Sequence, residues 1–260
     1  GRSASVVQYA HLRLSKALND AMKRNLIYRN PCQAVSPPKV ARKDLYPPDA
    51  DAIHRFLETA KDTEYYEALY TSFYTGLRRG EVLALRWWDV DLAQSAIYVN
   101  HSLYRAKGGE SIIQDPKTAK GRRLVSLTPS NALLLRSLWE RQVEEAILQG
   151  YIVNGDSPVL RYRDGSPILP RGYSGAFTKI MRRAGLEGYR LHDARHAHAT
   201  LMLKQGVHPS IVQARLGHAK VGTTLDIYSH VVPGLQEAAA MRFEEGLRNS
   251  RQPEHIAEPV

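Results

Sequence analysis

Three short runs between residues 192 and 228 decide how this chain reads: His192-Asp193-Ala194-Arg195-His196, then Leu216-Gly217-His218, then Thr224-Leu225-Asp226-Ile227-Tyr228. The spacing of apolar positions predicts helices over 190–206, 209–216 and 222–229. His192 and Arg195 stand three apart and therefore project from one helix face. His196, one position beyond Arg195, is expected to point elsewhere. A Leu-Gly turn before His218 lets a short backbone carry an imidazole into a cleft. Tyr228 follows ten residues later.

Working outward, Tyr66, Leu69, Tyr70 and Phe73 follow i, i+3, i+4, i+7 and predict a buried helix face ending at Gly76. The run Thr75-Gly76-Leu77-Arg78-Arg79-Gly80-Glu81 comes next, with a short helix expected from Gly80 to about Trp87. Before it, Pro47-Pro48-Asp49-Ala50 opens a short amphipathic helix through Ile53, Phe56 and Leu57. Residues 96–127 change character: Ile97-Tyr98-Val99, Ser111-Ile112-Ile113 and Leu124-Val125-Ser126-Leu127 read as short strands around turns at Gly108-Gly109 and Gly121. Helical periodicity returns from Pro129 to about Gln149, through Leu135, Leu138, Trp139, Val143 and Ile147, and again over 172–185. A last helix is expected from Pro233 to about Leu247, with Leu235, Ala239, Phe243 and Leu247 on one i+4 row.

At the other end, residues 5–30 read as helical through Leu12, Leu14, Ala17, Leu18 and Ala21, and Asn30-Pro31 with Ser36-Pro37-Pro38-Lys39 closes that unit. The fold class expected is mainly α with a small antiparallel β-sheet, that is, α+β. A helical piece occupies 1–35, a linker 36–46, the principal domain 47–247 and a frayed polar tail 248–260.

The chain has 260 residues and 36 Lys+Arg against 26 Asp+Glu, a net charge of +10, which points to a polyanionic partner. Nucleic acid fits better than membrane, because no cationic amphipathic helix with a bulky apolar face stands out. Cys32 is the single cysteine, so neither an internal disulfide nor a thiolate metal cluster can form within one chain, which fits a reducing cytoplasm. No run approaches the roughly 18 apolar residues of a membrane span. The opening Gly1-Arg2-Ser3-Ala4-Ser5 reads as the edge of a domain fragment.

Breaking a phosphodiester requires a nucleophile, cations for the non-bridging oxygens and a proton for the leaving oxygen. Arginine suits the second task through its planar, permanently charged fork, and Arg78 and Arg195 are the candidates. His192 and His218 can exchange a proton or hold a phosphoryl oxygen. A phenol, with a pKa of about 10, attacks phosphorus only beside a base and a positive field. Most of the 14 tyrosines must serve packing, and its neighbourhood is what singles out Tyr228. Lys117-Thr118-Ala119-Lys120-Gly121-Arg122-Arg123 places four cations in seven residues between two predicted strands. It reads either as a solvated hairpin in which Lys120, Arg122 and Arg123 contact DNA backbone, or as the carrier of a general-acid lysine, Lys117 or Lys120.

Taken together, these runs, with Leu85-Arg86-Trp87-Trp88-Asp89-Val90 and Pro116-Lys117-Thr118, resemble the tyrosine recombinases of the phage and integrative-element integrase type over about residues 40–247. The resemblance implies site-specific cutting and rejoining of DNA through a 3′-phosphotyrosyl link on Tyr228. It implies that Arg78 and Arg195 hold the non-bridging oxygens and that Lys117 protonates the leaving 5′-oxygen. His192 would act as general acid/base, His218 would hydrogen-bond the phosphoryl group, and Glu81 would support the site. No cofactor is implied, neither metal nor ATP. The implied partners are double-stranded DNA, further copies in a tetramer, a directionality factor and a host DNA-bending protein, in the bacterial cytoplasm at the nucleoid. Residues 1–35 resemble the end of a core-binding domain, and the Pro233–Leu247 helix would dock on a neighbouring protomer. Ala194 departs from the leucine more usual there, and Gly80 costs its helix up to about 1 kcal/mol against alanine.

Three other readings compete. A type IB topoisomerase shares the tyrosine chemistry. The segment Val207 to Gly217 could pass for a helix-turn-helix in a non-catalytic DNA-binding module. His192 and His196, at i and i+4, come close to a zinc-protease signature, although Asp193 is shorter than the glutamate required and Arg195 would stand beside the metal.

Overall fold

The computed structural model describes residues 3–40, 47–105, 111–114, 121–218, 240–241, 243–245 and 247–248. Tyr228, Lys117, Lys120, the helix expected over 222–229 and most of that expected over Pro233–Leu247 lie outside the described residues. The chain divides into two compact units, 1–46 and 47–260.

In the first unit, helix α1 runs over Ala4–Lys23. It stops short of the expected residue 30 because Asn25 turns into the left-handed region at φ 57°. A 3-10 turn, Pro31–Ala34, folds back on it. The buried side chain of Asn30 makes that return possible: its Nδ2 donates to the Ser15 carbonyl at 3.0 Å and to Asn19 Oδ1 at 2.8 Å, and its Oδ1 accepts from the Cys32 amide at 2.9 Å. Residues 31–34 thus pack with the first helix.

The second unit opens with α2 (Ala50–Ala60), capped by the Asp49 carboxylate on the Ala52 amide at 2.8 Å. Helix α3 (Tyr66–Thr75) follows and ends at Gly76 with φ 68°. Its buried residues are Ala68, Leu69, Thr71, Ser72, Phe73 and Thr75. Tyr66 and Tyr70 sit on its flank, where Tyr70 stacks on Tyr74 at 4.1 Å, so the tyrosines of the expected face form a side ladder. Helix α4 is brief, Arg79–Ala84. It leads into strands β1 (Val90–Asp91), β2 (Ala96–Val99), β3 (Ser102–Arg105), β4 (Ser111–Gln114) and β5 (Arg123–Ser126).

The strands form two antiparallel sheets, β1-β2-β5 and β3-β4, where the sequence predicts one. Tyr98 pairs with Leu124 and Val99 with Arg123, which brings the start of β5 beside the end of β2. Strand β3, which the sequence pattern does not announce, lies under α4. A Cβ on Gly80 would stand 2.5 Å from Ser102 Oγ and 2.7 Å from the Leu103 carbonyl oxygen, so the glycine that weakens α4 is what lets the strand approach it.

Helix α5 (Pro129–Gln149) has proline at its first position and Thr128 as cap, and stops at Gly150 with φ 74°. Its buried row is Asn131, Leu135, Leu138, Gln142 and Ala146, whereas Ile147 is 74% exposed. Helices α6 (Pro170–Arg183), α7 (Leu191–Lys204) and α8 (Pro209–Leu216) complete the unit among the described residues. The core is aromatic where α2, α3 and α6 meet: Phe56 lies 5.3 Å from Phe73 and 5.0 Å from Phe177. Tyr173, fully buried, has its hydroxyl on the Ala68 carbonyl at 2.9 Å and on Ser72 at 2.7 Å.

Candidate active site

The site is organised by the carboxyl end of α8. The last carbonyls of a helix lack intrahelical partners and carry the negative end of its dipole, so they draw cations. Three successive carbonyls there each accept from a different arginine. Arg123 Nε donates to Arg215 O at 2.7 Å, Arg195 Nη2 to Leu216 O at 2.5 Å, and Arg78 Nη2 to Gly217 O at 2.9 Å. Gly217 then turns at φ 65° and delivers His218.

Each arginine comes from a separate part of the chain. Arg78 is the residue before α4, held because the Glu81 carboxylate caps its amide at 2.8 Å and accepts from its Nη1 at 2.8 Å. Arg195, on α7, is 3% exposed, and its Nη1 also donates to the Gly76 carbonyl at 2.8 Å. That contact depends on Gly76, where a Cβ would come within 2.5 Å of Leu216 and 2.8 Å of His198. Glycine is required twice over, by φ and by packing. Arg123 reaches the same carboxylate as Arg78, with Nη1 at 3.1 Å and Nη2 at 2.8 Å from its two oxygens.

Counting donors separates the three. A guanidinium has five N–H bonds. Among the described residues, Arg78 and Arg195 each commit two, whereas Arg123 commits four, on Arg215 O, Gly121 O and the two oxygens of Glu81. Arg78 and Arg195 thus have, among the described residues, donors that no protein acceptor takes up. Arg123, its side chain 7% exposed, is tied inward and does not form the DNA-facing surface expected of it. The reason is strand alternation: Arg123 shares the inward face of β5 with Val125, while Arg122 and Leu124 are exposed on the other.

Three cations around one carboxylate leave a net positive charge in a partly buried place, and the titratable groups record it. Burial alone would raise the Glu81 carboxyl, but its bonds to Arg123 and Arg78 hold it below the ordinary range. Burial and the charge of Arg78 draw Arg195 down to about 9, still cationic at neutral pH. Burial, then His196 and Arg195, lower His192. Burial with Arg195 and Arg78 brings His218 to about 4, so both imidazoles are neutral at pH 7. A cleft of about 380 Å³ opens on the Arg78 and His192 side of the cluster, lined also by Arg79, Ser102, Leu103 and Ser174; Arg195 and His218 are not among its lining residues.

Two histidines depart from the sequence reading. His196 meets His192 edge to face, ring centres 4.5 Å apart, because i and i+4 share a helix face. Among the described residues no group of three His, Cys, Asp or Glu side chains is placed to hold a metal ion. His198, which the motifs do not single out, lies behind the site. Its Nδ1 donates to the Phe73 carbonyl at 2.9 Å and its Nε2 accepts from Arg215 Nε at 3.0 Å, a neutral tautomer fixed at both ends. Burial and Arg215 bring it to about 4.

These shifts set an acid limit. Unfolded, His198 and His218 take up protons near pH 6.5; folded, near 4. Between those values the unfolded chain binds more protons, so stability falls as pH falls through that window. Glu81, lowered below its ordinary value, adds its loss only further down. Tm measured from pH 7 to 4.5 is expected to decline, and His198→Gln to flatten part of the slope. A flat wild-type profile would contradict the burial of these imidazoles.

Comparison with known proteins agrees with this architecture. The ICEBs1 integrase of Bacillus subtilis is 31% identical over 235 residues, covering 89% of this chain and 63% of that protein. A XerC-like tyrosine recombinase of Caldanaerobacter subterraneus is 27% identical over 250 residues, covering 90% and 64%. The chain thus spans just under two thirds of the length of these relatives. In fold it matches the Tn1549 transposon integrase, solved in complex with a circular intermediate DNA, with a TM-score of 0.76 at 22% identity over 94% of this chain and 80% of that one. The lambda integrase dimer bound to a COC′ core site matches with a TM-score of 0.60 at 19% identity, over 86% and 59%. The family model described as the phage integrase family matches residues 43–233, a span that holds the arginine cluster, both histidines and Tyr228. With most of its length and its fold inside those bounds, the chain belongs to the phage integrase family of tyrosine recombinases.

Proposed function

We propose that this chain is the catalytic part of a site-specific DNA recombinase that cuts and rejoins strands through a covalent 3′-phosphotyrosyl intermediate. The observation that carries this is the set of guanidiniums on the α8 carboxyl end, where among the described residues Arg78 and Arg195 each commit two of their five donors, beside two neutral histidines. In this reading the Tyr228 oxygen attacks the scissile phosphorus, and His192 takes the phenolic proton. The P–O5′ bond breaks, and Lys117 gives the leaving oxygen its proton. Arg78 and Arg195 stabilise the charge that builds on the non-bridging oxygens, and neutral His218 donates to one of them. A 5′-hydroxyl of a partner strand reverses the steps, so the ester energy is retained and no ATP is consumed.

Double-stranded DNA is the proposed partner. The net charge of +10 and the exposed Arg122 support it, as do relatives solved with DNA. We place residues 47–247 as the catalytic domain, 36–46 as linker and 1–35 as the end of a core-binding domain. The exposed Met241 and Phe243 support docking of the last helix on a neighbouring copy in a tetramer. Action on chromosomal DNA places the protein in the cytoplasm; among the described residues no helix is long and apolar enough to cross a membrane.

The test is a duplex nicked next to the cleavage position, so that the strand end diffuses away after attack. Incubation with this chain is expected to give a protein–DNA adduct that survives denaturation and forms equally in the presence of a chelator. DNA binding without any adduct would favour the non-catalytic reading.

A further inference from the structure

Strand transfer by Arg78 and Arg195 leaves Arg123 without a task, and any role for Arg123 in the reaction rests on that reading of the site. Its place is unusual for a residue that keeps almost no donors for substrate. The Glu81 carboxylate lies between two guanidiniums: Oε1 accepts from Arg78 Nη1 and Arg123 Nη1, and Oε2 from the Arg78 amide and Arg123 Nη2. The Glu81 and Arg123 side chains are 6% and 7% exposed, while that of Arg78 is 42% exposed.

We propose that Arg123 is a positioning residue, which neutralises and orients Glu81 so that Arg78 keeps its charge and its angle for the phosphoryl group. Without Arg123, Glu81 would keep, among the described residues, one guanidinium in hydrogen-bond reach, Arg78, and would offset more of its charge. A planar carboxylate alone with a guanidinium also favours the two-bond fork, which would turn a second Arg78 donor from the cleft into the floor. With Arg123 holding both oxygens, Arg78 places one N–H on Oε1 and another on Gly217 O, and the rest of its fork is set by those two anchors. The third anchor, Arg123 Nε on Arg215 O, binds this arrangement to the carbonyl row that also holds Arg195.

The sequence places this residue tellingly, since Arg123 opens β5 directly after the segment that carries Lys117 and Lys120. Its alternative role, a scaffold for the strand alone, makes a different prediction. A scaffold defect slows every substrate alike. A defect in charge delivered by Arg78 matters most when the phosphate carries its full charge.

Arg123→Met is therefore compared with wild type in single-turnover adduct formation on two nicked duplexes. One has an ordinary scissile phosphodiester and the other an uncharged methylphosphonate at that position. Expected is a loss of about 100-fold on the phosphodiester, as for removal of one oxyanion donor, with less than about fivefold on the methylphosphonate and unchanged DNA affinity. Arg123→Lys keeps charge without the fork and serves where the Met variant does not fold; it is expected to lose about tenfold on the phosphodiester only. Equal losses on both duplexes, or none, would overturn the role of Arg123 alone. A wild-type chain that forms no adduct would overturn the strand-transfer reading and this role with it.

Discussion

Tyr228→Phe is expected to abolish the covalent adduct, by about 10⁴-fold or more, the order of magnitude seen when a sole nucleophile is removed, while DNA affinity and Tm stay at wild-type values. The substitution deletes one oxygen and keeps the ring, so packing and phosphate contacts should persist. The alternative nucleophiles are other tyrosines, and the fold disfavours those that are well placed in it. Tyr74 is pushed up to about 12 by its neighbour Tyr70 and by burial. Tyr162 is pushed up to about 12 by burial and by its bond to Tyr65. Tyr173 is raised further by full burial in the aromatic core. A phenol held this way resists ionisation. An adduct that survives in Tyr228→Phe would sink the assignment, and peptide mapping of it would name the true nucleophile.

The division between what the sequence reveals and what it hides follows from the physics of each signal. Arg78, Arg195, His192 and His218 sit in short runs tied to helix ends, where glycine and capping residues mark the backbone plainly. Gly76 and Gly217 end α3 and α8 in the left-handed region, as their positions in the runs predict. Long-range contacts leave weaker traces. Strand β3 escapes a pattern search because Ser102-Leu103-Tyr104-Arg105 is short, and its approach to α4 is licensed by Gly80, far earlier in the chain. Arg123 looks solvated among its cationic neighbours, although alternation with Val125 already points it inward. For His196 the offset from Arg195 suggests another face, but its offset of four from His192 is the one that matters. Ile147 follows the apolar period of α5 yet lies outward, because the buried row runs through Gln142 and Ala146, with Gln142 bonding Trp87 and the Val159 carbonyl. Buried polar residues of that kind carry no hydrophobic signature. The roles of Tyr228 and of Lys117 against Lys120 rest on the resemblance alone, since all three lie outside the described residues.

Arg195→Met is the second large effect, and it separates catalysis from stability. In the proposed reaction it removes one of two arginines on the non-bridging oxygens, and adduct formation should fall by about 10³-fold, the upper range for a lost oxyanion donor. Stability should change far less than the burial of Arg195 implies. Two carbonyls, Gly76 O and Leu216 O, lose a charged donor, which costs about 1–3 kcal/mol each when they remain buried. Against this, a cation that burial and Arg78 strain toward neutrality is gone, and its desolvation cost goes with it. The two terms oppose each other, and a net loss of about 1–3 kcal/mol in urea unfolding is expected. Arg195→Lys then asks whether charge is enough. An ammonium cannot bridge Gly76 O and Leu216 O while also addressing a phosphoryl oxygen in the same plane, so this variant should remain at least about 100-fold below wild type. A lysine variant within tenfold of wild type would mean that the fork between those carbonyls is dispensable. The α8 carboxyl end would then hold its arginines for stability and not for reaction.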